Sequence, residues 1–161
     1  MEVTAAIALG SNLGDSLQIL RGALGALDHT EGLKLVATSP WYRTAPVGPP
    51  HPDYLNGCAL LTTALDPEQV LNHLLQIEQQ FGRVRRERWG PRSLDLDLLF
   101  YGDRILNRPH LTLPHPRMGD RAFVLVPLAD IAPHWQHPHT GQTVAQRLQE
   151  LDCQGVEPFN P

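Results

Sequence analysis

LKLVATSPWYRTAPVGPPHPDYLNGCALLTT, residues 33–63, holds two extended segments with no helical stretch between them. Leu33–Tyr42 reads as one strand, with Pro40 favouring an edge or bulge near its end. Tyr54–Thr63 reads as the next. The connection TAPVGPPHPD, residues 44–53, carries four prolines that restrict its backbone, and it offers no apolar repeat of helical spacing. Parallel neighbours need a crossover, usually a helix. Its absence favours an α+β fold with a largely antiparallel sheet over a small doubly wound α/β fold.

The flanking sequence continues the pattern. Val3–Leu9 is an apolar strand ending at Gly10, and Asp15 is placed to cap a helix with the stripe Leu17, Leu20, Leu24 and Leu27. On the other side, Asp66, Pro67 and Gln69 supply an N-cap, an N1 proline and an N3 amide. The second helix then buries Val70, Leu71, Leu74, Ile77 and Phe81 and ends near Gly82. Leu94–Tyr101 is a further strand, followed by a turn at Tyr101–Arg104 and a short extended piece through Ile105 and Leu106. Helical stretches are expected around Arg121–Leu128 and Thr143–Leu151. The order strand, helix, strand, strand, helix, strand lets helices cover one face of the sheet, with C-terminal additions. No repeat or low-complexity linker divides residues 1–161, so one domain is expected.

Composition narrows the classes of function. The chain has 161 residues and a formal charge of −4, which disfavours a broad basic nucleic-acid footprint while leaving room for a local anion site. All 13 basic residues but Lys34 are arginines, the side chain suited to bidentate phosphate or carboxylate contacts. Cys58 and Cys153 form no CxxC pair, the N-terminus lacks the character of a secretory signal, and no apolar run reaches membrane-spanning length. A soluble cytoplasmic protein is expected.

Chemistry concentrates in residues 82–101. In SLDLDLLFY, residues 93–101, strand alternation turns Asp95 and Asp97 to one face and Leu94, Leu96 and Leu98 to the other. Two adjacent carboxylates suit a hard divalent cation; a solvated acidic face is the alternative. Just before them, GRVRRERWGPR sets Arg83, Arg85, Arg86, Arg88 and Arg92 against Glu87 alone. A polyphosphate with Mg²⁺ would satisfy such a cluster, and Trp89 in the same loop could close over a planar ligand; an ordinary solvated basic loop is the alternative. Glu78 falls on the apolar stripe of the second helix, where it either orients an arginine, accepts from a nucleotide, or reaches water at a boundary. Tyr54 and Asn56 share a strand face, offering an aromatic plane and a two-sided amide beside the Thr44–Gly48 loop. GSNLG, residues 10–14, lacks the residues of a phosphate-binding P-loop, and His134, His137 and His139 sit in a Pro-rich stretch that favours a solvated loop over a metal site.

Taken in order, ALGSNLGD, YRTAPVGP, PDYLN, RWGPRSLDLDLLFY and LPHPRMGDRAFVLVPL resemble the 6-hydroxymethyl-7,8-dihydropterin pyrophosphokinase family of folate biosynthesis over nearly the whole chain. The resemblance implies a ferredoxin-like α+β enzyme that moves the β,γ-pyrophosphoryl unit of ATP to the pterin hydroxymethyl oxygen and releases AMP. It implies two Mg²⁺ ions on Asp95 and Asp97, with Arg83 and Arg92 also catalytic. The pterin would be bound by Thr44, Pro46, Val47, Gly48, Asn56 and Trp89, with Tyr54 and Phe123 sandwiching its ring. Nucleotide and phosphates would be served by Glu78, Arg83, Arg85, Arg92, Leu98, Thr112, His115 and Arg121. The loop between Arg85 and Trp89 is one residue shorter than in one form of the family, so Arg86 and Arg88 have no separate roles assigned. His110 and Pro116 stand where that form carries Arg and Tyr. ATP and the reduced pterin are the expected partners of a monomer that engages neither nucleic acid nor membrane. A phosphohydrolase or nucleotidyltransferase, and a noncatalytic nucleotide or RNA sensor, are the alternatives that use the same residues.

Overall fold

The computed structural model describes residues 2–12, 15–44, 53–81 and 94–160. Its centre is an antiparallel sheet in which β1 (Val3–Ser11) lies between β4 (Tyr54–Thr63) and β5 (Asp95–Tyr101). The chain between the first two helices departs from the single strand expected over Leu33–Tyr42. It forms β2 (Leu33–Thr38) and β3 (Tyr42–Thr44), both paired with β4. Pro40 has no N–H for the ladder, and the interruption is satisfied by Ser39, whose Oγ accepts from Cys58 N at 2.9 Å. A last strand, β8 (Val156–Pro158), adds to the outer side of β3. Three residues with a terminal proline carry no legible alternation, which is why the sequence reading missed it.

Helices α1 (Ser16–Asp28) and α2 (Pro67–Gln80) begin where their caps predict. Asp15 accepts from Gln18 N, and Asp66 and Gln69 form a reciprocal capping box. Asp66→Ala is expected to lower stability by about 1 kcal/mol in urea unfolding, since the Gln69 N–H loses its side-chain acceptor; an unchanged midpoint would mean that the cap contributes nothing.

Both faces of the sheet are buried, beyond the single covered face expected. Ala5, Ile7 and Leu9 of β1 pack with Leu20, Leu27, Val70 and Leu74 of α1 and α2. Ala6 and Ala8 face a second cluster built from α3 (Ala122–Ile131) and α4 (Val144–Gln149), through Val124, Leu125, Leu128 and Val144. Burial on both sides explains the unbroken apolar run of β1. The residues turned toward α3 are small, Ala6, Ala8 and then Gly10, so the sheet lies open beneath the N-terminal end of that helix.

A β-bulge completes the arrangement. Ile7 pairs with Leu98 and Ala6 with Phe100, so Leu99 is an extra residue without a partner in β1. The bulge sends both Leu99 and Phe100 into the second cluster, while Asp95 and Asp97 keep the face they would have in a regular strand. The Leu99 carbonyl accepts from His115 N at 2.8 Å, which seats the segment after the β6 (Leu106–Arg108) and β7 (Leu111–Leu113) hairpin beside β5. Among the described residues, no helix is long and apolar enough to cross a membrane.

Candidate active site

Antiparallel pairing lines up side chains across strands, and one row decides the site. Tyr42 of β3 stands opposite Asn56 of β4, Asn56 opposite Gly10 of β1, and Gly10 opposite Asp95 of β5. In the next row on the same face, Asp97, Ala8 and Cys58 are aligned. Neighbouring strands are about 4.8 Å apart, so Asn56 and Asp95 lie about 10 Å from each other across a floor with no side chain at Gly10. A β-carbon at Gly10 would come within 2.9 Å of Asn56 Oδ1, so the glycine gives the amide its place.

Above this floor is a cavity of about 480 Å³ lined by Thr44, Tyr54, Asn56, Asp95, Asp97, Arg121 and Phe123, with backbone and small side chains of β1 and β4 below. The volume suits a small-molecule ligand. Seven residues expected to act together from the sequence thus converge on one space. Arg121 is the N-cap residue of α3, and its guanidinium carbon lies 5.7 Å from the Phe123 ring centroid. Among the described residues, buried Thr44 Oγ1 and Asn56 Nδ2 have no hydrogen-bond partner. Both line the cavity, and a buried polar atom without a partner is costly unless a ligand completes it.

His115 stands close enough to Asp97 to feel its charge. Burial pushes the imidazole below its ordinary range, the Asp97 carboxylate opposes that shift, and Arg121 and Arg117 add to it. Its Nδ1 accepts from Arg117 N at 3.1 Å, so the neutral ring carries its proton on Nε2 and presents it as a donor. Thr112 sits half-buried on β7. Leu98 is 3% exposed and belongs to the core between sheet and α2, so its side chain is not available to a ligand.

Glu78 departs from the water-facing boundary weighed for it. It is 3% exposed, and its Oε2 accepts from Leu96 N, the peptide between the two aspartates, at 2.8 Å. The stripe position signalled burial; its strand partner was not readable. Sequence reasoning also missed Gly10, set aside when GSNLG failed as a P-loop. Pro46, Val47, Gly48, Arg83, Arg85, Arg86, Arg88, Trp89 and Arg92 lie outside the described residues. His110 approaches Glu68, which also pairs with Arg108. His137 and His139 lie side by side, their ring centroids 5.6 Å apart.

Two carboxylates on one strand face fit a hard divalent cation. Among the described residues no third His, Cys, Asp or Glu joins them, so the described residues form no closed cage. Mg²⁺ is commonly held in this way, by one or two carboxylates with water and substrate phosphates completing the octahedron.

Residues 6–133 match the family model of 7,8-dihydro-6-hydroxymethylpterin-pyrophosphokinase. The chain is 51% identical over 157 residues to the 2-amino-4-hydroxy-6-hydroxymethyldihydropteridine pyrophosphokinase of Synechocystis sp., spanning 98% of this chain and 80% of that one. It is 41% identical over 160 residues to the enzyme of the same name from Haemophilus influenzae, covering 99% of each. Among solved structures, the Plasmodium falciparum HPPK-DHPS chain crystallised with pteroate superposes with a TM-score of 0.75 at 14% identity. That match covers 93% of this chain and 42% of the Plasmodium chain, and it shows the likeness of fold.

Proposed function

Because the chain belongs to the 7,8-dihydro-6-hydroxymethylpterin-pyrophosphokinase family, whose members transfer a pyrophosphoryl group from ATP to hydroxymethylpterin in folate biosynthesis, we propose that the cavity over β1, β4 and β5 is where that transfer takes place. The observation that carries this assignment is the convergence of two unpartnered polar atoms, Thr44 Oγ1 and Asn56 Nδ2, with the Asp95 and Asp97 carboxylates in one space. The polar atoms suit the edge of a flat heterocycle rich in donors and acceptors. Tyr54 and Phe123 cover its faces, and its one-carbon arm reaches toward β5.

Asp95 and Asp97 are the residues that would hold Mg²⁺, two ions in this reading. Bound there, Mg²⁺ would neutralise phosphate oxygens and help bring an anion and a hydroxyl together. The pterin hydroxyl oxygen attacks the β-phosphorus and gives up its proton to water, the bond to the α-phosphate oxygen breaks, and AMP leaves with the electron pair. Among the described residues lining the cavity, Asp95 and Asp97 are the only carboxylates, and Asp97 is assigned to accept the hydroxyl's hydrogen bond. His115 Nε2 and the Arg121 guanidinium are assigned to phosphate oxygens, where fixed donors serve developing charge without reorganisation. Arg83, Arg85 and Arg92 are assigned to the same phosphates and Trp89 to closure over the ring, from their sequence positions alone. The chain is assigned to act as a monomer, its residues forming a single domain.

Incubation with Mg²⁺, ATP and reduced hydroxymethylpterin, followed by mass identification, should give AMP and a pterin diphosphate in equal amounts. ADP or free phosphate in place of AMP would overturn the reading. Phe123→Ala should raise the pterin dissociation constant about tenfold in the presence of a nonhydrolysable ATP analogue, because one face of the ring loses its partner. Nucleotide affinity should stay within about twofold. A loss confined to the nucleotide would place Phe123 elsewhere.

A further inference from the structure

The cavity depends on a helix that reaches it only by its first turn. Arg121 and Phe123 line the space from the start of α3, while Val124, Leu125 and Leu128 bury that helix against the sheet. Apolar burial is non-directional and does not by itself fix a helix's rotation about its axis. Two polar contacts supply direction. Cys58 Sγ donates to the Val124 carbonyl at 3.6 Å, close to the cavity. Near the far end of the helix, the Tyr42 hydroxyl donates to the Asp130 carboxylate.

Position matters here on both sides. Phe123 and Asp130 are seven residues apart, so they lie within about 20° of one stripe, separated along the axis by about 10 Å. On the sheet, Tyr42 is aligned with Asn56, and Thr44, two residues on, turns its side chain to the same face. Burial and the neighbouring Asp130 carboxylate push the Tyr42 hydroxyl up to about 12, so it remains a donor at any working pH. A bond from a neutral hydroxyl to a carboxylate is also stronger than one between neutral groups.

Resting on the cavity assignment above, we propose that Tyr42 and Asp130 are a positioning pair that sets the rotation of α3, and through it the distance between Phe123 and Tyr54 across the pterin ring. Neither residue touches the ligand. Loosening the pair lets the Phe123 stripe swing while the β5 carboxylates, on the other side of β1, stay in place. Pterin binding should therefore suffer and nucleotide binding should not.

The experiment is a double-mutant cycle on the full chain, read by fluorescence titration of hydroxymethylpterin with a nonhydrolysable ATP analogue and Mg²⁺ present, and by separate titration of the analogue. Tyr42→Phe and Asp130→Ala should each weaken pterin about fivefold, and the double variant no more than the worse single one, since both break one bond. Asp130→Asn, which keeps an oxygen acceptor, should fall between wild type and Asp130→Ala. Analogue affinity should stay within about twofold throughout. Unchanged pterin affinity in both single variants, equal losses for both ligands, or losses that multiply in the double variant would each overturn the proposal. Tyr54→Ala and Phe123→Ala run alongside: if these also leave pterin affinity unchanged, the cavity assignment itself falls and the role of the pair with it.

Discussion

Asp97→Ala is expected to abolish turnover, by about a thousandfold or more, while leaving the fold as stable as before. The rate follows from what the carboxylate does. A metal that neutralises phosphate charge contributes several kcal/mol to the transition state, and each 1.36 kcal/mol is a factor of ten. In the proposed complex Asp97 also faces the arm of the pterin, so its removal takes away the acceptor assigned to the hydroxyl. Stability follows from the strand. Asp97 is half-buried on a face it shares with Asp95, and removing one of two neighbouring like charges relieves repulsion. Asp95→Ala should lose turnover to a similar extent. The second readout is Mg²⁺ binding itself, by calorimetry with a nonhydrolysable ATP analogue present, which both variants should weaken severely. Near-normal product formation at limiting Mg²⁺ would remove the metal assignment, and normal Mg²⁺ binding with lost turnover would leave the aspartates a different role.

That the pair was readable at all follows from period two. A strand over Leu94–Tyr101 puts Asp95 and Asp97 on one face whatever their neighbours are, and the bulge at Leu99 falls after both. Helix caps were legible for the same reason: Asp15 and Asp66 act on N–H groups within three residues of themselves. Tyr54 and Asn56 were legible as a shared face, but their common space with Phe123 comes from strand register and from α3 crossing the second face. Those are long-range facts with no local signature. The small residues Ala6, Ala8 and Gly10 carried a trace of it, since a strand buried on both sides with tiny side chains on one of them leaves room for something else. Glu78 shows the limit most clearly. Its stripe position announced burial, whereas the N–H it serves lies 18 residues away in sequence.

Glu78→Ala should cost about 1–3 kcal/mol of stability in urea unfolding, because the buried Leu96 N–H loses its acceptor, and it should also weaken Mg²⁺ binding. The placement is costly for a carboxylate. Glu78 lies in the last turn of α2, where the helix dipole disfavours a carboxylate, and it is buried, which disfavours it further. In compensation it serves the end strand of the main sheet. Among the described residues β5 pairs within that sheet with β1 alone, and Glu78 Oε2 takes an N–H on its other side. Leu96 lies between Asp95 and Asp97, so fixing that peptide fixes the backbone from which both carboxylates project. Catalytic geometry tolerates small displacements poorly, and a loosened β5 should raise the Mg²⁺ concentration needed for half-maximal turnover. Glu78→Gln separates bond from charge, since its amide oxygen can accept from the same N–H. If Gln recovers most of the stability and of the Mg²⁺ response, the hydrogen bond to Leu96 is what β5 requires. If Gln is as damaging as Ala, the negative charge is what matters, and Glu78 acts on the site electrostatically instead of through the strand.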